Sequence, residues 1–260
     1  MWIQTSCELT FKIDIPTPFV LMLRLRSGAQ QWIASEEYVL EPNILATEFT
    51  DAFGNLCQRL VAPPGDFRIY TAARINIPDV IDEAPGGEFV DIINLPDDVM
   101  KYLLPSRYCE SDRFGQMGAE ITANQKLGYD QVEAIESWMK KNISYQPGSS
   151  FYPQSAIEVN QQQSGVCRDL AHLGIALCRS LSIPARMVVG YLHGLEPMEL
   201  HAWFEAFVAG RWYTFDATQD TKQGGYAVIG YGRDATDVAM YNQFGPGLIP
   251  IKQIVTVEME

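Results

Sequence analysis

The chain has 260 residues, 47% of them apolar and 20% charged, a balance that excludes a disordered or fibrous polypeptide. Lys and Arg number 19 against 32 for Asp and Glu, and the formal net charge of -13 argues against nucleic acid or an anionic membrane as partner. No apolar run approaches the roughly 20 residues of a membrane-spanning helix, and Met1 to Asp14 alternates polar with apolar residues, so neither a membrane partner nor a secretory leader is expected. Cys7, Cys57, Cys109, Cys167 and Cys178 are scattered without CxxC spacing, which leads to an expectation of free thiols and a cytoplasmic location.

Residues 1 to about 95 read as an all-β module, with apolar or alternating runs at Phe19 to Leu25, Leu56 to Ala62 and Phe67 to Ile75. Asp51-Ala52-Phe53-Gly54-Asn55 and Pro63-Pro64-Gly65-Asp66 supply tight turns between them. Pro and Gly at 85–87, then prolines at 96 and 105, punctuate the chain. They suggest an N-terminal β-sandwich-like domain over 1–105 and a second domain over 106–260. Tyr129 to Lys141 places Val132, Ile135, Trp138 and Met139 at helical spacing, with acids in its first turn and lysines in its last, and predicts a surface helix. Gly165 to Leu181 has almost no polar face, so it is expected to be an enclosed central helix. Strand-like runs follow at Ala185 to Tyr191, His201 to Val208 and Arg211 to Phe215, with a last apolar run at Ile251 to Val257.

Cys167 follows a polar segment, Gln161 to Val166, that reads as flexible, and it falls in or beside the first turn of the apolar helix. Unpaired backbone N–H groups and the helix dipole favour an anion there, and a thiolate is the attacking form of cysteine. Cys178 lies about 16 Å further along the helix and reads as packing. The three histidines are His172, His193 and His201. His201 opens a run that meets Arg211 to Asp216 across Ala209-Gly210, a two-residue hairpin turn. If Val208 faces Arg211, Trp203 faces Asp216, and His201 lies two residues further on the same face, its Cα roughly 7 to 8 Å from that of Asp216. A slip of one residue would put the two on opposite faces. The spacing therefore gives Cys167 as nucleophile, His201 as its proton partner and Asp216 as the group that fixes the ring. Each residue also has a plainer use: a small packed thiol, a structural imidazole, an acid opening the turn Asp216-Ala217-Thr218. A zinc site from Cys167, His172, Cys178 and His193 lacks the short ligand spacing of metal hooks, so no metal and no cofactor are expected.

Four segments in order, Ser164-Gly165-Val166-Cys167-Arg168-Asp169-Leu170-Ala171-His172, Ile183-Pro184-Ala185-Arg186 with Gly190-Tyr191, His201-Ala202-Trp203 and Phe215-Asp216-Ala217-Thr218, closely resemble the transglutaminase-like superfamily. The likeness covers about residues 120 to 240 and is greatest to a bacterial branch with an N-terminal β domain, described as transglutaminase-like enzymes or cysteine proteases. Leu103 to Tyr108 and Gly232 to Asp237 also resemble segments of that branch. The resemblance implies an α+β, papain-like core in which a central helix carrying the cysteine packs on an antiparallel sheet, and Cys167, His201 and Asp216 match the family's triad. Ala217 stands where proline is common and Arg168 where glutamine is frequent. The backbone N–H of Cys167 is one candidate oxyanion donor and the second is not identifiable, while His172 matches a structural position inside the helix. The implied activity is cysteine-dependent acyl transfer on peptide or protein amides through a thioester, with hydrolysis by a protease or amidase placed before protein-glutamine transglutaminase. A non-catalytic binding module of the same fold is the reading from a different class.

Overall fold

Strict alternation of inward and outward side chains makes a half-buried strand, and β1 (Trp2–Ile13) keeps that alternation over nearly its whole length. In the computed structural model, which describes residues 1–28 and 30–260, it is followed by β2 (Thr17–Leu21), β3 (Trp32–Glu41), β4 (Thr47–Thr50), β5 (Leu56–Ala62) and β6 (Gly65–Asn76). Helices α1 (Gly115–Ile121) and α2 (Tyr129–Asn142), strand β7 (Ser144–Tyr145), helix α3 (Ala156–Gln162), strand β8 (Ser164–Gly165) and helix α4 (Cys167–Ser180) come next. The chain continues through β9 (Ala185–Leu192), β10 (His201–Val208), β11 (Arg211–Phe215), β12 (Tyr226–Gly232), β13 (Tyr241–Gln243) and β14 (Lys252–Met259). The architecture is α+β, as the sequence implied.

Two four-stranded antiparallel sheets, ordered β14-β1-β6-β3 and β13-β2-β5-β4, meet through inward aromatic side chains. The Phe11 and Phe19 rings are 5.3 Å apart and Phe19 and Phe67 are 5.9 Å apart. Sequence patterning located parts of β2, β5 and β6 but not β1 or β3, because charged residues such as Glu8, Lys12, Glu36 and Glu37 interrupt their apolar character. The last strands return to these sheets: β14 pairs with β1 and β13 with β2. The first α-helix starts at Gly115, past the boundary expected near residue 105, and residues 241–259 rejoin the strands of the first half.

The third sheet, β11-β10-β9-β12, carries α4 on one face. Helix and sheet approach closely where Gly174 meets the Phe204 ring; a Cβ on Gly174 would come within 2.5 Å of it. On the opposite face, Arg186 of β9 and Glu205 of β10 are cross-strand partners joined at 2.7 Å. The guanidinium lies between the rings of Trp212 and Tyr231, 4.2 and 3.8 Å from their centres. Arg186→Ala is expected to destabilise the fold by about 3–5 kcal/mol, because it leaves the buried Glu205 carboxylate uncompensated. Urea titration measures this, and a loss under ~1 kcal/mol would contradict it.

Strand β12 is an edge, and side-chain amides from the first half cover it. Gln31 accepts from the Val228 N–H at 2.7 Å and donates to the Val228 carbonyl at 2.8 Å. Asn55 does the same for Tyr231, at 2.8 and 2.7 Å. Each amide presents a donor and an acceptor side by side, as a neighbouring strand would.

Candidate active site

Cys167 is the first residue of α4 and is only 8% exposed. Its approach differs from the flexible lead-in expected for Gln161 to Val166. Ser155 and Glu158 form a capping box that starts α3, and this helix runs through Gln162. Ser164 and Gly165 then form β8, parallel to β7, through Ser144 N–H to Gln163 O at 2.8 Å and Gln146 N–H to Gly165 O at 2.9 Å. The fully buried Asp169 carboxylate accepts from the backbone N–H of Gln154 and Val166 and from the Arg168 side chain. These bonds fix the backbone on both sides of the thiol.

The β10–β11 hairpin has the expected register, Val208 opposite Arg211 and Phe204 opposite Phe215. Its turn residues Ala209 and Gly210 have φ of 50° and 78°, as a two-residue turn matched to strand twist requires. His201 and Asp216 meet as the register implies: the Nε2–H of His201 donates to Asp216 Oδ2 at 2.7 Å. Tyr226 donates to the same oxygen at 2.9 Å, and Thr218 donates its backbone N–H and hydroxyl to Oδ1. The buried Glu136 carboxylate accepts from the Asp216 N–H at 2.9 Å. Nε2 being taken, Nδ1 is the ring nitrogen left for the thiol, and it is buried with no hydrogen-bond partner among the described residues.

Electrostatics follow from this geometry. Burial disfavours a charged His201, but the Asp216 carboxylate and its hydrogen bond, followed by the nearby Cys167, raise the imidazole to about 10. Burial likewise opposes ionisation of Asp216, yet His201 and the Thr218 donors hold it below the usual aspartate value. Burial pushes the thiols of Cys7, Cys57, Cys109 and Cys178 upward and keeps them protonated. All five cysteines are unpaired.

His172, fully buried in α4, has both nitrogens occupied: Nδ1–H donates to Gln154 O at 2.8 Å and Nε2 accepts from the Ala235 N–H at 3.1 Å. Burial pushes its pKa down, so it ties α4 to the turn at 233–237 as a neutral ring. In that turn, Asp234 accepts from the Tyr108 and Thr236 N–H groups. His193 is half-buried just beyond β9. Among the described residues no cluster of three His, Cys, Asp or Glu is placed to hold a metal. A cavity of about 500 Å³ lined by Arg186, Glu205, Trp212 and Tyr231 lies against the sheet, and Cys167, His201 and Asp216 do not line it.

Glu136 and Tyr226 escaped the sequence reading, and Thr218 stood in it only as part of the segment Phe215-Asp216-Ala217-Thr218, with no role of its own. Glu136 did leave a signal, an acid inside the apolar stripe Val132, Ile135, Met139. Tyr226 left none, since its contact with Asp216 depends on how β12 returns beside β9.

The family model of the transglutaminase-like superfamily matches residues 115–217. A solved structure from Cytophaga hutchinsonii, a candidate cysteine protease, is 34% identical, with a TM-score of 0.90 and coverage of 99% of this chain and 90% of that one. The chain belongs to the transglutaminase-like superfamily. An uncharacterized protein of Mycobacterium leprae is 35% identical over 149 residues, 53% of this transglutaminase-like chain and 52% of that protein. The chain therefore spans about half the length of the curated relative it matches. The matched transglutaminase-like segment contains Cys167, His201 and Asp216, whereas Tyr226 and the 233–237 turn lie beyond it.

Proposed function

We propose that this transglutaminase-like chain is a cysteine-dependent acyl-transfer enzyme that hydrolyses peptide or protein amides. One arrangement supports this above all. A buried imidazole, anchored through Nε2 by Asp216, leaves Nδ1 unpartnered beside a thiol at a helix N-terminus. Proton transfer from Cys167 to Nδ1 gives thiolate and imidazolium. The sulfur lone pair forms an S–C bond to the amide carbon as the C=O π pair moves to oxygen. On collapse the C=O re-forms, the C–N bond breaks, and the imidazolium gives its proton to the leaving nitrogen. Water, deprotonated by Nδ1, then attacks the thioester, releasing the acid and returning the proton to sulfur. An amine in place of water would make the reaction a transamidation.

Intact-protein mass spectrometry after incubation with a panel of glutamine and short peptide donors tests the proposal. An acyl adduct on Cys167 is expected, discharged by water at a rate that added amines do not change. Discharge only when an amine is present would assign transglutaminase activity instead. An iodoacetamide reaction at Cys167 at pH 6 no faster than that of an ordinary thiol would favour a non-catalytic module.

A further inference from the structure

The Tyr145 ring is half-buried, but its hydroxyl is completely covered and has no hydrogen-bond partner among the described residues. Covering a hydroxyl without a partner costs stability that phenylalanine would avoid, so packing alone gives no reason for the oxygen. Its position is fixed by backbone. Tyr145 pairs directly with Gly165 in the parallel β7–β8 ribbon, and Cys167 follows two residues later. The hydrogen bonds from Ser144 to Gln163 and from Gln146 to Gly165 flank Tyr145, so backbone bonds tie it to the segment that leads into α4. The groups whose charge reaches its hydroxyl are Cys167, Glu199 and Asp216; after burial, these push its ionisation upward and keep it a donor. Glu199, half-buried in the loop before β10, also lies within electrostatic reach of His201. An uncommitted donor thus stands at the edge of the reacting centre, fixed independently of the His201–Asp216 pair.

We infer that the Tyr145 hydroxyl donates to the carbonyl oxygen of the group attacked by Cys167, serving with the Cys167 backbone N–H as the second donor to the oxyanion. This rests on the acyl-transfer function proposed above. When the S–C bond forms and the π pair moves to oxygen, the acceptor facing the tyrosine O–H gains negative charge. It keeps its proton throughout and forms no covalent bond. The donor therefore strengthens as charge develops and acts on the transition state more than on the bound substrate.

Two probes separate this role from others. Acylation by 4-nitrophenyl acetate passes through an oxyanion, whereas alkylation by iodoacetamide is a displacement at a saturated carbon and does not. In the full chain, Tyr145→Phe is expected to slow the nitrophenolate burst about 100-fold. Iodoacetamide reactivity across pH 5–9 and the melting midpoint should stay at or above wild-type values. Equal burst rates in Tyr145→Phe and wild type would overturn the assignment. A parallel fall in both reactions would also overturn it, placing the hydroxyl on the sulfur or in the architecture. If wild type gives no burst beyond that of Cys167→Ala, acyl transfer itself fails and the Tyr145 assignment falls with it.

Discussion

Cys167→Ala is expected to lower turnover of any amide substrate roughly a millionfold, to the rate left by binding alone. The size of the effect follows from the chemistry: alanine removes the atom that forms the intermediate, so no weaker version of the same route remains. Removing one sulfur at a helix terminus should leave the fold intact, since α4 is held by its apolar contacts with β10 and by the Asp169 bonds rather than by the thiol. Progress curves with a donor identified by adduct trapping, together with far-UV circular dichroism, measure both parts. A folded variant retaining more than about a thousandth of wild-type activity would rule out Cys167 as the nucleophile.

Asp216→Asn should cost about 10⁴-fold in turnover while changing almost no volume. Thr218 donates two hydrogen bonds to Oδ1, so the amide oxygen of asparagine takes that position and its NH₂ takes the place of Oδ2. The NH₂ then donates towards Nε2 of His201, which moves the ring proton to Nδ1 and removes the lone pair that receives the thiol proton. The Tyr226 hydroxyl, which donates to Oδ2, also loses its acceptor. The same pair has a signature in stability. Asp216 is held low when folded, so its contribution is present above the unfolded aspartate value near 4 and disappears as pH falls through the lower folded value. His201 is raised to about 10, so its contribution is complete below about 6.5 and is lost as pH rises towards 10. The stability gap between wild type and Asp216→Asn is therefore expected to be widest between about pH 4 and 6.5 and to narrow above that. Denaturant titrations at pH 5.5 and pH 9 check it, and a wider gap at pH 9 would mean that the pair is not ionised as described.

The candidate triad was legible because each member sits in a locally determined element. Two residues between two alternating strands fix a hairpin register, and that register alone brings His201 to Asp216. An apolar run with no polar face locates α4 and puts Cys167 at its start. Other features depend on distant parts of the chain. Nothing near Gln31 or Asn55 announces that their amides will bind β12, and nothing near Ile251 announces that this run leads into a strand beside β1. The segment before Cys167 was misread for a different reason. Its glutamines look like a solvated loop, but the capping box at Ser155 and Glu158, two weak polar signals three residues apart, opens a helix that takes in Gln161 and Gln162.

The amide contacts of Gln31 and Asn55 have a consequence for anyone who trims this protein. A piece starting near residue 106 would retain the nucleophile and its hairpin but present β12 with bare carbonyl and amide groups facing water, ready to recruit the same ribbon from another molecule. Such a fragment is best viewed as a seed for self-association, and inactivity measured on it would say nothing about the chemistry of the intact chain.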